Sequence, residues 1–128
     1  MKDKDIKILV ADDDETIACM SKEILECEGF IVFTALDGVK ALEIFRKERP
    51  HISIIDIFLG YFPMDGIELM QQIKGIDPKA RVIIMTRKSV SETVTRAKEA
   101  GAEVYMNKPA DMEEWVNTIK KVVETIES

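Results

Sequence analysis

The sequence predicts an α/β fold in which five parallel strands form one doubly wound sheet with helices on both faces. Along the 128 residues, short apolar runs alternate repeatedly with amphipathic segments. Valine and isoleucine are frequent in the runs, as is typical of buried strands. Parallel strands need crossover connections, and a helix after each strand provides them. The alternation therefore indicates five consecutive βα units.

The predicted strands are short apolar runs. They comprise residues 6–11, 30–34, 52–57, 81–86 and 103–106. Ligands of such sheets bind outside the carboxyl ends of the strands. The residues that follow these runs are therefore the first candidates for a functional site.

The predicted helices are segments in which apolar residues recur with a period of about 3.6. They comprise residues 15–28, 38–48, 66–74, 90–100 and 111–126. Gly29 and Gly101 follow the first and fourth helices, where glycine commonly ends a helix. The predicted buried faces contain Ile17, Met20, Ile24 and Leu25 in the first helix, Val39, Leu42 and Phe45 in the second, and Trp115, Ile119, Val122 and Ile126 in the last.

Length and composition indicate one domain over residues 1–128, since 46% hydrophobic content suffices for a single core. The net charge of −6 argues against a nucleic-acid surface, because binding to phosphate backbones depends mainly on Lys and Arg. No apolar run is long enough to span a membrane, and the first residues lack the apolar core of a signal peptide. We therefore expect a cytoplasmic protein without a membrane partner.

The cysteines and the histidine carry little functional signal. Cys19 and Cys27 lie in one predicted helix, about 12 Å apart at 1.5 Å per residue, which is beyond disulfide reach. We expect both thiols to be free and not to bind zinc. His51 is interpreted as a residue at the entry of the third strand, although a catalytic pairing with an aspartate stays open.

Four consecutive acids, Asp12 to Glu15, follow the first strand. Carboxylates this close repel one another, so such a cluster commonly binds a cation. Acids also stabilise the first turn of a helix by capping its free N–H groups. Capping explains Asp14 and Glu15 better than it explains Asp12 and Asp13.

Polar residues from four strand ends should converge on one edge of the sheet. Three carboxylates and a lysine together suit Mg²⁺ beside a phosphate, and a carboxylate can itself form an aspartyl phosphate. The residues are Asp12 and Asp13 after the first strand, Asp56 at the end of the third, Thr86 at the end of the fourth and Lys108 after the fifth.

Five motifs, taken in their order along the chain, resemble those of the receiver domain of two-component response regulators. The resemblance covers essentially the whole chain. The motifs are Asp12-Asp13, Asp56 after Ile-Ser-Ile-Ile, Pro63-Met-Asp-Gly66, Thr86 after Val-Ile-Ile-Met, and Lys108-Pro109 after Gly101-Ala-Glu-Val-Tyr-Met-Asn. The resemblance implies a flavodoxin-like fold with strand order 2-1-3-4-5. It also implies a Mg²⁺-dependent phosphorelay switch that catalyses only its own phosphorylation and dephosphorylation.

The resemblance assigns a role to each site residue. Asp56 would be the phosphoacceptor, and Asp12, Asp13 and Asp56 would bind Mg²⁺ together with the backbone carbonyl of Phe58. Lys108, before a cis peptide to Pro109, would contact the phosphoryl group. Thr86 would move toward that group on activation, and Tyr105 would swing inward with it.

The implied partners are a sensor histidine kinase or phosphotransfer protein and a downstream protein or output domain. The signalling surface would comprise the fourth helix, fifth strand and fifth helix. The oligomeric state would be a monomer or a phosphorylation-dependent dimer.

The loop after Asp56 is two residues longer than the family pattern, with the addition centred near Gly60 and Tyr61. It brings the aromatic residues Phe58, Tyr61 and Phe62 near the site. The residue after Thr86, usually small, is Arg87. The bulky Phe58, with Lys88 as the second flanking residue, predicts slow loss of the phosphoryl group because a hydrolytic water is excluded.

Two other functions stay open. Asp12 to Thr16 also satisfies the Asp-x-Asp-x-Thr motif of haloacid-dehalogenase-type phosphatases, with Asp12 as nucleophile and Asp14 as general acid. That reading leaves Asp56 without a role. The second is an interaction module that has the receiver fold but is not phosphorylated.

Overall fold

A computed structural model describes residues 6–57, 59, 65–86, 91–107 and 112–127. Strands and helices alternate as predicted, with bounds that differ from the predicted ones by no more than two residues. The elements are β1 Lys7–Ala11, α1 Glu15–Cys27, β2 Ile31–Ala35, α2 Gly38–Glu48, β3 Ile52–Asp56, α3 Gly66–Ile76, β4 Arg81–Thr86, α4 Ser91–Glu99, β5 Val104–Asn107 and α5 Met112–Glu127.

The five strands form one parallel sheet in the order β2-β1-β3-β4-β5. The predicted strand order is therefore confirmed. Ala11 pairs with Ile55, and Asp56 pairs with Met85. This register brings the carboxyl ends of β1, β3 and β4 to the same edge, where the sequence predicts the site.

The sheet separates two apolar layers. On one face, Leu25 of α1 packs with residues of α5; on the other face, residues of α2, α3 and α4 pack together. Trp115 of α5 is the largest fully buried side chain among the described residues, and its indole nitrogen donates to the Sδ of Met85 in β4 at 3.0 Å. The predicted burial of Trp115, Ile119 and Val122 is confirmed.

Two predicted core residues are on the surface instead. Met20 is 50% exposed and Val39 is 47% exposed. The buried residues of α1 are Ala18, Ser21 and Leu25. In α2, burial begins at Gly38, one residue or about 100° of helix rotation from Val39. The buried faces of these helices also contain large apolar residues, Leu25 in α1 and Leu42 and Phe45 in α2.

Polar caps begin the helices. Asp14 accepts hydrogen bonds from the N–H groups of Thr16 and Ile17, and Asp37 caps α2. Asp65 and Glu68 form a capping box at the start of α3. At the other ends, Gly29 and Gly101 have φ angles of 97° and 98°, which confirms their predicted role as stops.

Cys19 and Cys27 are free and exposed, as predicted. His51 lies directly before β3, where its backbone N–H donates to the Lys7 carbonyl. Within the described residues, no helix has the length and apolar character needed to cross a membrane.

Candidate functional site

Three carboxylates meet at the carboxyl edge of the sheet. One oxygen from each of Asp12, Asp13 and Asp56 lies within 4.8 Å of the others. Asp12 and Asp56 are 4% and 7% exposed, whereas Asp13 is exposed to solvent. The cluster is therefore open on one side and enclosed on the other.

Strand pairing positions the first acid beside the third. Because Ala11 pairs with Ile55, the next residues, Asp12 and Asp56, leave the sheet side by side. The backbone N–H of Asp12 donates to the carbonyl of Ala35 at 3.0 Å, which extends the contact between β1 and β2. The Asp12 carboxylate in turn accepts from the N–H of Asp14 at 2.9 Å. One Asp12 oxygen thus stabilises the turn into α1.

The backbone around Asp56 is packed on both sides. The N–H of Ile57 donates to the Met85 carbonyl at 3.0 Å, and the Ile57 carbonyl accepts from Gly66 at 3.1 Å. A Cβ at Gly66 would lie 2.2 Å from the Asp56 carbonyl oxygen. Gly66 was identified in the sequence only as part of a motif. Gly66 contacts Asp56 across the loop that connects β3 to α3, and hydrophobic periodicity does not predict such a contact.

The donor set fits a hard divalent cation. Magnesium binds oxygen ligands at about 2.0–2.1 Å, so oxygens on opposite sides of the ion are about 4.2 Å apart. The ligand oxygens of the three carboxylates all lie within 4.8 Å of one another, which is close to that spacing. A cation would also offset the repulsion between their charges. We conclude that the cluster can bind Mg²⁺ and leave coordination positions for water or phosphate oxygens.

The predicted switch residues lie on β4 and β5, which follow β3 on one side of the sheet. Thr86 ends β4, where its backbone pairs with Asn107 of β5; its side chain is outside the described part of the structure. Tyr105 of β5 is half-buried and packs against the core layer of α2, α3 and α4. Their roles in switching stay predictions.

Several predicted site residues lie outside the described residues. They include Lys108, which follows Asn107, and Phe58, whose carbonyl was predicted to bind Mg²⁺. The others are Gly60, Tyr61, Phe62, Arg87, Lys88 and Pro109. Their assignments therefore rest on the sequence.

The position of Asp14 bears on the phosphatase alternative. Its Oδ1 accepts from the N–H groups of Thr16 and Ile17 at 3.0 and 3.2 Å. These bonds cap the first turn of α1. The helix cap accounts for Asp14, and the geometry does not favour the phosphatase.

Comparison with protein families gives one match that spans most of the chain. Residues 8–120 match the response regulator receiver domain. The chain is 38% identical over 115 residues to sporulation initiation phosphotransferase F of Bacillus subtilis, covering 90% of this chain and 91% of that protein. It is 34% identical over 110 residues to the response regulator MprA of Mycobacterium tuberculosis. That alignment covers 85% of this chain but only 46% of MprA.

Solved structures show the same fold. A response regulator receiver domain protein described as CheY-like, from Methanospirillum hungatei, superposes with a TM-score of 0.90 at 30% identity. The match covers 95% of this chain and 96% of the other. The BeF3-activated DrrB receiver domain superposes with a TM-score of 0.83 at 33% identity, covering 93% and 97% of the two chains.

Proposed function

The chain belongs to the family of response regulator receiver domains, which are switches in phosphorelay signalling, and we propose that Asp56 is the residue that accepts the phosphoryl group. One observation carries this proposal. Asp56 is a buried carboxylate at the end of the central strand β3, with Asp12 and Asp13 within 4.8 Å. Burying a carboxylate is costly unless it is paired, binds a metal or reacts.

The proposed reaction is a transfer to a carboxylate. An Asp56 oxygen attacks the phosphorus of a phosphohistidine or a small acyl phosphate, and the bond to the donor breaks with its electron pair leaving on the donor. Asp12, Asp13 and Asp56, with the carbonyl of Phe58, would hold Mg²⁺, which neutralises phosphoryl charge when bound. Lys108 contacts the same phosphoryl oxygens as a compact cation.

In this proposal, the signal is transmitted through β4 and β5, the strands that contain Thr86 and Tyr105. Thr86 and Tyr105 respond to the phosphoryl group and change the face formed by α4, β5 and α5. Receiver domains are switches rather than classical enzymes. In this proposal, residues 1–128 act as one receiver domain, and the only reactions it catalyses are its own phosphorylation and dephosphorylation.

The proposed partners are proteins. The phosphoryl donor is a sensor histidine kinase or a phosphotransfer protein, and the recipient of the signal is a downstream protein or an output domain. The domain itself does not bind nucleic acid, which is consistent with its net charge of −6. It is a monomer or a dimer that forms on phosphorylation.

The test is intact-protein mass spectrometry after incubation with acetyl phosphate or phosphoramidate and Mg²⁺. The parent should gain the mass of one phosphoryl group, and Asp56→Asn should gain none because the amide is not a nucleophile. Asp37→Asn is the matched control, since it changes an aspartate at the start of α2 and asparagine is also a good cap.

Three results would contradict the proposal. One is phosphorylation of the Asp56→Asn protein to the same extent as the parent. Another is a peptide map that locates the phosphoryl group on Asp12, which would support the phosphatase. The third is a folded parent that no donor phosphorylates, which would support the unphosphorylated interaction module.

A further inference from the structure

A cavity lies at the opposite end of the sheet from the three acids. It has a volume of about 440 Å³ and is formed by the segments that precede β3 and β4 and by the end of α5. Strand β3 spans residues 52–56 between the two ends, which corresponds to about 13 Å at 3.3 Å per residue. The cavity is thus separate from the candidate phosphorylation site.

The charges around this cavity are mostly positive. Arg49, Lys79 and Arg81 line it, whereas Asp77 is the only acid among the described residues of its lining. The Asp77 carboxylate already accepts from the backbone N–H of Lys79 at 3.0 Å. Among the described residues, neither Arg49 nor Lys79 forms an ion pair. This excess of positive charge is notable in a chain whose net charge is −6.

The guanidinium of Arg81 is held in place by the protein. Its Nε donates to Thr125 Oγ1 at 3.2 Å, and its two terminal nitrogens donate to the carbonyls of Lys79 and Thr125 at 3.2 and 3.5 Å. Each terminal nitrogen keeps one further N–H. A guanidinium that is already oriented loses less conformational entropy when a ligand binds. The side chain therefore offers a preformed donor group to an anion.

The imidazole of His51 adds a further donor. Its Nδ1 accepts a hydrogen bond from the backbone N–H of Lys7 at 3.0 Å. A neutral imidazole carries one proton, so here the proton must be on Nε2. No described residue accepts from that nitrogen. Since His51 lines the cavity, its ring contributes a donor rather than an acceptor.

We propose that this cavity binds a small multivalent anion, and specifically the phosphate groups of a small molecule. Its volume lies within the range of about 300–1,000 Å³ that is typical of small-molecule sites. Arginine and lysine are the side chains that best recognise phosphate oxygens. Pro50 and Ile126 give the cavity apolar walls that can contact the rest of such a molecule.

A small anion fits the cavity better than a nucleic acid does. A nucleic acid would contact an extended surface, and the 24 acidic residues of the chain would repel its backbone. A small anion contacts only the cavity lining. The site is a property of this chain's residues and does not depend on phosphorylation of Asp56.

The proposal can be tested by NMR titration with inorganic phosphate and tripolyphosphate in buffer without Mg²⁺. Omitting the metal keeps the probes away from the acidic cluster, which repels anions. Backbone amide shifts of residues 49–51 and 77–81 should change and saturate, with tripolyphosphate binding more tightly than phosphate. Sodium chloride at the same ionic strength is the control for screening.

A double variant identifies the side chains responsible. Arg49→Gln with Lys79→Gln should weaken tripolyphosphate binding by about tenfold or more. The matched control is Lys40→Gln with Lys98→Gln, which removes the same charge from exposed positions outside the cavity. Lys79→Gln alone, a change at an exposed side chain, should give a smaller loss in the same direction.

Three results would overturn the proposal. The first is the absence of saturable shifts in the parent, or shifts that sodium chloride reproduces. The second is equal binding by the two double variants. The third is binding of an acidic peptide or an oligonucleotide at these residues without binding of either phosphate probe, which would indicate a macromolecular partner.

Discussion

Gly66 packs against the backbone of Asp56 so closely that a Cβ on Gly66 would lie 2.2 Å from the Asp56 carbonyl oxygen. The same Cβ would lie 2.8 Å from the Cα of Ile57. Both neighbours are backbone atoms at the end of β3, so neither can move without shifting the candidate phosphoacceptor. The start of α3 and the position of the Asp56 carboxylate are therefore coupled.

We expect Gly66→Ala to destabilise the protein by about 1–3 kcal/mol, because overpacking a rigid site forces the backbone to shift. Urea unfolding measures this loss. Gly75→Ala is the control in the same helix, since nothing lies within 4 Å of a Cβ there. That change should be neutral or stabilise the protein by up to about 1 kcal/mol. Equal effects of the two substitutions would show that the contact with Asp56 is unimportant.

Removing one acid should weaken Mg²⁺ binding. Asp13 is the exposed member of the cluster, so Asp13→Asn removes a charge without burying an unpaired group. We expect the affinity to fall by about tenfold or more, measured by titration calorimetry. Asp37→Asn, at the start of α2, should bind Mg²⁺ like the parent. An Asp13→Asn protein with unchanged affinity would exclude Asp13 as a ligand.

Glu103 connects three elements, and its loss should be costly. One carboxylate oxygen lies 2.8 Å from Lys74 Nζ, and the other accepts from the backbone N–H of Val82. Glu103→Ala leaves that strand N–H without its acceptor and should cost about 1–3 kcal/mol in the free energy of unfolding.

Glu103→Gln keeps an acceptor and should cost less. Glu99→Ala, at an exposed position of α4, is the control in unfolding experiments. If Glu103→Ala were no more destabilising than Glu99→Ala, the connection through Glu103 would not contribute to stability.

The protein should lose stability below neutral pH through His51. Burial of the imidazole, and secondarily the positive charge of Lys7, lower the pKa of His51 below 6.5. The unfolded chain then binds the proton more readily than the folded protein, so stability falls as pH falls through about 6.5 toward the folded-state pKa. His51→Asn keeps an acceptor for the Lys7 N–H but does not titrate.

Unfolding of both proteins at a series of pH values isolates this effect, because the carboxylates common to both cancel. The parent should lose stability relative to the Asn variant as pH decreases from 7 to 5. Parallel pH profiles would contradict the assignment of this loss to His51.

The lifetime of the phosphorylated state is predicted from the sequence. From the sequence, we expect the aromatic side chain of Phe58 to exclude the hydrolytic water and Lys88 to offer no acceptor that would orient it. Phe58→Asn, alone or with Lys88→Glu, should accelerate loss of the phosphorylated mass after the donor is removed. If the parent lost the phosphoryl group as fast as Phe58→Asn or faster, the longer loop would have to admit water instead.

The fold could be predicted from the sequence because strand and helix periods alternate clearly. The errors concern which helix residues are buried. Met20 and Val39 are apolar but exposed, whereas Ala18 and Ser21 are buried. Hydropathy favours large apolar side chains, but burial depends on the face of the helix on which a residue lies, and in α1 that face contains Ala18, Ser21 and Leu25. The rotation of a helix about its axis is set by tertiary packing, which the sequence pattern does not specify.

The candidate site could be predicted only in part, because the sequence pattern locates strand ends but not the tertiary contacts around them. The positions of Asp12, Asp13 and Asp56 follow from strand ends in a parallel sheet, and the structure brings the three acids together. The contacts that orient them do not follow from strand ends. Gly66 contacts Asp56 across the loop between β3 and α3. The Ala35 carbonyl accepts from the backbone N–H of Asp12, which joins two separate βα units.

Trp115 is the only tryptophan of the chain, and its indole N–H contacts the Sδ of Met85, the residue paired with Asp56. Indole emission is sensitive to its hydrogen-bond partner and to nearby sulfur. The molecule thus carries an intrinsic fluorophore one strand away from the proposed phosphoacceptor. Movement at the end of β4 can be followed by stopped-flow fluorescence without a label, on the timescale of the switching event itself.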